Sequence, residues 1–164
     1  MGRVGYSSDM DRFHWLDPHD ADLWATLWAF VTWVPASLDE HLKRSEQMSL
    51  IDYLAMLAIA QAKDQQITMS QLARTTRTSA SRLSHVMDRL EDKGLTTRTR
   101  STEDRRSTIA SLTPEGADFM VRATPTMIHQ LRESIFEAVT VDEAIQLNAI
   151  MRKILANTHG LPRS

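Results

Sequence analysis

A mostly α-helical fold, broken once by a small β-hairpin, is what the sequence predicts, and three observations predict it. Apolar residues recur at three- and four-residue intervals over most of the chain. The period changes to two only between Leu95 and Leu112. Helix-starting signals precede the periodic runs: Asp17-Pro18, Thr68-Met69-Ser70-Gln71, Ser79, Thr113-Pro114-Glu115 and Thr140-Val141-Asp142-Glu143.

Residues 1–16 lack helical periodicity, although Phe13, Trp15 and Leu16 are apolar enough to pack on something. Asp17 then offers a capping carboxylate, Pro18 suits the first helical position, and Asp20 and Asp22 put negative charge at the positive end of the dipole. Leu23, Leu27, Phe30, Val31, Val34, Leu38 and Leu42 mark one long amphipathic helix. Trp24, Trp28 and Trp33 widen its apolar surface, and Pro35 is expected to kink it. A second helix over about 49–62 carries Leu50, Tyr53, Leu54, Leu57 and Ile59 as core candidates and ends at the polar stretch Lys63-Asp64-Gln65-Gln66.

The Thr68 to Gln71 capping box opens a short helix with Leu72 and Ala73, which Thr75 to Thr78 interrupts. Ser79 caps the next helix, with Leu83, Val86, Met87 and Leu90 on one face and Gly94 as its stop. Leu95 to Arg100 alternates and is rich in Thr, Ser107 to Leu112 is the return strand, and Ser101 to Arg106 is the charged connection between them. A helix restarts at Thr113-Pro114-Glu115 and continues through Phe119, Met120, Met127, Leu131, Ile135 and Phe136, with a kink expected at Pro125. The last helix opens at Thr140 and carries Ala144, Leu147, Ile150, Met151, Ile154 and Leu155.

With 164 residues, 42% of them hydrophobic and 24% charged, the chain fits one domain spanning 1–164. It has no Cys, which excludes disulfides, thiolate metal sites, Cys nucleophiles and thiol redox switches. The longest uncharged stretch, Leu23 to Leu38, is too short to cross a bilayer, and the N-terminal residues show no secretory signal, so a cytoplasmic protein without membrane attachment is expected. Six His residues form no i, i+4 pair on one helix, and His41 reads as a surface residue near a helix end rather than a ligand. No phosphate loop, Ser elbow or paired carboxylates are recognisable, so neither an enzyme nor a metal or other cofactor is expected.

Two short helices joined tightly and followed by a basic hairpin make the order of a winged helix-turn-helix, whose second helix enters the major groove. Charge agrees with this. Ser70 to Ala110 holds nine basic and five acidic residues, a local +4, against −6 over the remainder of a chain whose total is −2. The helix opened by Ser79 turns Ser79, Ala80, Ser81, Arg82, Ser84 and His85 away from its apolar face. Small side chains there allow close approach to bases, and Arg82 and His85 can donate to guanine or phosphate. Arg89, Arg98 and Arg105 are further basic candidates for DNA contact.

The same segment resembles the DNA-binding core of the MarR family of transcriptional regulators. The resemblance lies in Met69-Ser70-Gln71-Leu72-Ala73, in the run from Ser79 to Leu95, and in Asp104-Arg105-Arg106 leading to Leu112-Thr113-Pro114-Glu115-Gly116. Ala110 and Thr78 depart from the family pattern, which usually has Val and an apolar residue there. The resemblance implies a winged helix-turn-helix lobe over 49–112, with long N- and C-terminal dimerisation helices at 17–43 and 113–157. It implies that Arg106 reaches the minor groove from the wing tip while Asp104 braces the wing through a neighbouring Arg. A homodimeric repressor on a pseudo-palindromic double-stranded operator, relieved by a small lipophilic or phenolic effector, is the function it implies. Trp24, Trp28, Tyr53 and Met56 are the candidate effector-pocket residues. The competing reading is a winged-helix dimer that scaffolds protein interactions without binding DNA.

Overall fold

The computed structural model describes residues 16–102, 104 and 106–157. The chain divides into two compact units, one ending at Ser37 and the other beginning at Leu38.

Most of helix α1 (Pro18–Glu46) belongs to the first unit. Its start is capped as the sequence predicts: Asp17 Oδ1 accepts the N–H groups of His19 at 2.9 Å and Asp20 at 3.0 Å. Trp24 and Trp28, one turn apart, stack with ring centroids 5.9 Å from each other. Leu23, Trp24, Trp28, Phe30, Val31 and Trp33 are all exposed. Pro35 removes one backbone hydrogen bond, yet the helix is continuous across it. Phe13 and Trp15 lie outside the described residues.

In the second unit the end of α1 buries Leu38 and Leu42. Asp39 on the same stretch accepts the Leu50 N–H at 2.7 Å and pairs with Lys43 at 2.7 Å, and these two contacts, Lys43 first, hold its carboxyl below the usual range. Helix α2 (Leu50–Ala60) begins there, with Ser49 as N-cap. Its inward face is Tyr53, Ala55, Met56, Ala58 and Ile59, whereas Leu54, a predicted core residue, is exposed. A three-residue strand follows, β1 (Gln66–Thr68). The sequence reads Gln66 as the end of a polar break and Thr68 as a helix cap, and no strand between them.

Helices α3 (Met69–Thr75) and α4 (Ala80–Asp92) form the helix-turn-helix. The turn is tight: Arg77 takes a left-handed backbone, φ +52°, and the Thr78 N–H returns to Ala73 O at 3.0 Å. Leu72 from α3 and Leu83, Val86, Met87 and Leu90 from α4 are buried to within 1%. Strands β2 (Thr96–Arg100) and β3 (Thr108–Leu112) are the predicted hairpin, with Arg98 opposite Ala110. β1 adds to the other edge of β3, Ile67 opposite Ala110, giving the antiparallel order β1-β3-β2.

The apex of this packing is Gly116 in the first turn of α5 (Pro114–Ser134). A Cβ at Gly116 would stand 1.9 Å from Leu95 O, so no other residue lets α5 approach the start of the hairpin this closely. Thr113 completes the junction by donating its hydroxyl to Gly94 O at 2.6 Å while accepting the Gly116 N–H at 3.0 Å. The Leu-Thr-Pro-Glu-Gly run therefore has a steric cause. α5 buries Phe119, Met120, Ala123 and Met127, and its Thr124 Oγ1 accepts from Tyr53 Oη at 3.3 Å. It runs on through Pro125 but stops at Ser134, short of the predicted Phe136, which opens a single 3-10 turn. Helix α6 (Val141–Asn157) closes the described chain and buries no residue. No helix among the described residues is long and apolar enough to cross a membrane.

Candidate nucleic-acid interface

Ser79 sets the start of α4 by accepting the Arg82 N–H at 3.3 Å through its hydroxyl. With Leu83, Val86 and Leu90 turned inward, helix geometry leaves Ser79, Ala80, Ser81, Arg82 and His85 exposed on the first two turns, and Ser84 half-buried. The expected recognition surface is thus one continuous face. Its side chains are short apart from Arg82 and His85, so the helix can approach an electron-rich groove closely.

The wing stands beside it. Asp104 accepts the Arg106 N–H at 3.0 Å and the Ser107 hydroxyl at 2.8 Å through its two carboxylate oxygens, while its own N–H donates to Ser101 Oγ at 3.2 Å. These bonds, the Arg106 N–H first, hold its carboxyl below the usual range. Asp104 therefore ties the loop through the backbone amide of the neighbouring Arg106 and the hydroxyl of Ser107. Arg106 is exposed at the tip. Arg105 lies outside the described residues. Between α3, the start of α4 and the wing runs a cleft of about 460 Å³, with Ser70, Ala80, Ser84, Arg98, Arg106 and Ser107 among its lining.

Arg89 and Arg98 have guanidinium groups engaged in ion pairs with carboxylates of the lobe. Arg89 Nη2 pairs at 2.5 Å with Asp52, a buried carboxylate on α2. Arg98 Nη2 donates to Glu91 at 2.5 Å and Asp88 at 2.6 Å; Glu91 first and Asp88 after it raise its pKa above the ordinary Arg value. Lys93 Nζ donates to Gln47 O at 2.7 Å, fixing the end of α4 to the loop before α2. Sequence reasoning missed Asp52, Asp88 and Glu91. The spacing of Asp88 and Glu91, three apart on one helix inside a basic segment, is the signal that could have found them; for Asp52 there was none, because its partner is 37 residues away.

The effector-pocket candidates are placed differently from expectation. Tyr53 and Met56 are core residues, 3% and 0% exposed, because α2 turns them inward between α4 and α5. Trp24 and Trp28 belong to the first unit. An open apolar concavity of about 740 Å³ on the second unit is lined instead by Leu57, Ala60, Met120, Val121, Ile128 and His129 among others. His41 also corrects a prediction: it is half-buried, and its Nε2 is buried without a hydrogen-bond partner. Among the described residues no three His, Cys, Asp or Glu side chains cluster as a metal site.

A family model described as MarR family matches residues 46–107, the helix-turn-helix and most of the wing. The HTH-type transcriptional regulator PapX of Escherichia coli is 29% identical over 64% of this chain and 63% of its own. The transcriptional repressor MprA of Escherichia coli strain K12 is 27% identical over 63% of this chain and 58% of its own. The chain thus spans under two thirds of the length of these curated relatives. Among solved structures, Sco3205, a MarR family transcriptional regulator from Streptomyces coelicolor in complex with DNA, is 29% identical with a TM-score of 0.84, over 92% of each chain. AbsC, a MarR family regulator from the same organism, shares the fold at 24% identity and a TM-score of 0.85, over 90% of this chain and 99% of its own. The family model covers the helix-turn-helix and most of the wing, and over nearly its whole length the chain is similar in fold to MarR family transcriptional regulators.

Proposed function

We propose that the protein is a sequence-specific DNA-binding transcriptional regulator that works as a homodimer, represses, and is released by a small lipophilic effector. The observation that carries the DNA-binding reading is the pairing of one small-residue face on α4 with an exposed Arg106 on a braced wing across a single cleft. A helix and a hairpin so placed suit adjacent major and minor grooves. The local +4 of residues 70–110 supplies the attraction to phosphate. That Sco3205 is solved with DNA supports the same reading.

The dimer rests on a second observation: α6 exposes Val141, Ile145, Leu147, Ile150 and Leu155, apolar surface that spreads over more than half of its circumference, on a helix that buries nothing. A second copy would cover it and set two recognition helices about one helical turn of DNA apart. The concavity beside Leu57 and Ile128 is the better effector site, since Tyr53 and Met56 are closed into the core.

The test is equilibrium binding to the DNA upstream of the protein's own gene across a salt series. Affinity that falls steeply between 50 and 200 mM salt, by roughly 10³-fold or more, is expected of several phosphate contacts. Salt-insensitive or absent binding would leave the protein-scaffold reading standing instead.

A further inference from the structure

Arg98 sits at the centre of β2, directly across from Ala110 of β3, and its guanidinium reaches the recognition helix. Nε donates to Glu91 Oε2 at 3.0 Å, and Nη2 donates to the same oxygen at 2.5 Å and to Asp88 Oδ1 at 2.6 Å. Asp88 and Glu91 are one helical turn apart, so a single planar guanidinium spans both. The Arg98 side chain is 24% exposed, less than that of Asp88 at 50%. One cation facing two carboxylates leaves the cluster net negative. The other oxygen of Asp88 lies 3.9 Å from His85 Nδ1, on the exposed face of the helix. These groups leave Arg98 no spare positive charge for a phosphate.

The hairpin is joined covalently to α4 at its base, where Thr96 follows Gly94 by two residues. Farther along β2, Arg98 ties the strand to the body of α4, on the way to the loop that carries Arg106. We propose that Arg98 is a positioning residue that locks the wing to the recognition helix through Asp88 and Glu91, and so sets the spacing between major-groove and minor-groove contacts. It binds no phosphate itself. The inference rests on the DNA-binding reading and specifies how that site acquires its geometry. Asp88 and Glu91, acidic residues inside a basic lobe, then serve specificity at some expense of electrostatic attraction.

The experiment compares the full-length wild type, Arg98→Gln, Arg98→Glu, and the charge-reversed pair Glu91→Arg with Arg98→Glu. Each is titrated with the DNA upstream of its own gene and with an unrelated duplex across the same salt series. Arg98→Gln is expected to lose about tenfold in affinity for its site, to lose little on the unrelated duplex, and to keep the slope of log K against log salt. Weakening on both duplexes, with the slope reduced by about 0.9, identifies a phosphate contact and overturns the proposal. The charge-reversed pair is expected to regain most of what Arg98→Glu loses. No regain, in a double variant whose thermal melt matches wild type, overturns it as well. Should Arg98→Gln fail to fold, the reversed pair carries the test. A wild type with no salt-sensitive binding refutes the DNA-binding reading itself, a result distinguishable from both others.

Discussion

Leu83 on α4 and Leu147 on α6 occupy comparable places in amphipathic stripes of similar spacing, yet Leu83 is 1% exposed and Leu147 is 46% exposed. The difference extends to the whole of each region. Around α4 the buried set runs through Leu42, Met56, Ile59, Leu72, Val86 and Met87, all within 1% of full burial. In α6 no residue is buried. Charge divides the chain in the same way, +4 over residues 70–110 against −6 elsewhere. The lobe satisfies its apolar surface within one chain. The terminal helix carries as much apolar character and leaves it open, which is why a dimer is proposed for the one region and DNA for the other.

The largest effect expected from this contrast is in the core of the lobe. Leu83→Ala should cost about 3 kcal/mol, the transfer term plus an unfilled cavity, and the loss should be the same at every protein concentration. Leu147→Ala removes an equal volume from an exposed position. Its effect should appear only where the dimer forms, so that the loss grows with protein concentration in urea titrations. Equal, concentration-independent losses for both would erase the distinction between the two regions.

Next in size is Ile150→Asp. Ile150 is 56% exposed, so a carboxylate there leaves the monomer's packing intact. Buried without a partner in a dimer interface, it should weaken association by about 2 kcal/mol or more, roughly thirtyfold. Sedimentation should show monomers with unchanged far-UV CD. A dimer that persists at the same affinity would remove α6 from the interface.

How much of this the sequence discloses follows the same division. Where partners are close in the chain, local pattern was enough: Ser79 caps α4 as predicted, the helix ends at Asp92 beside Gly94, and the hairpin runs over Thr96–Arg100 and Thr108–Leu112. β1 escaped because three residues carry no measurable alternation, and only pairing with β3 makes them a strand. The ion pairs of Arg89 and Arg98 escaped for the same reason, since a charge pattern shows which residues are cationic and not what they face. Leu54 was read as core and Ala55 is core, because α2 is apolar on nearly every face and periodicity cannot then choose one. For α6 the stripe was legible, but a stripe looks alike whether its cover is the same chain or another.

A smaller effect should separate the regions by function rather than stability. Arg106→Ala should reduce affinity for the operator about tenfold and lower the salt slope by about one. Arg152→Ala, an exposed cation on α6, should change neither. Arg82→Ala should shift sequence preference more than binding to unrelated DNA, as expected for a side chain that reads base edges. Binding assays on a matched and a mismatched duplex distinguish the three, and a slope change with Arg152→Ala would place DNA against the wrong face.

The smallest expected effect compares one motif used in both regions. Thr68 and Gln71 form a capping box on α3, with Thr68 N–H to Gln71 Oε1 at 3.2 Å and Gln71 N–H to Thr68 Oγ1 at 3.3 Å. Thr140 and Glu143 repeat it on α6, at 2.8 and 3.3 Å. Only the second box can titrate. The Thr140 N–H and then its hydroxyl hold the Glu143 carboxyl below the ordinary Glu value. A carboxyl depressed in the folded state stabilises above its unfolded pKa, about 4.3. That contribution disappears as pH falls through the lower folded value, because the protonated acid accepts these bonds poorly. Acidification from pH 6 to 3 should therefore speed amide exchange at Thr140 more than at Thr68, beyond the ordinary pH dependence of exchange itself. Glu143→Gln, which makes the two boxes chemically alike, should abolish the difference. If the variant kept it, the acid sensitivity would belong to a group outside the box.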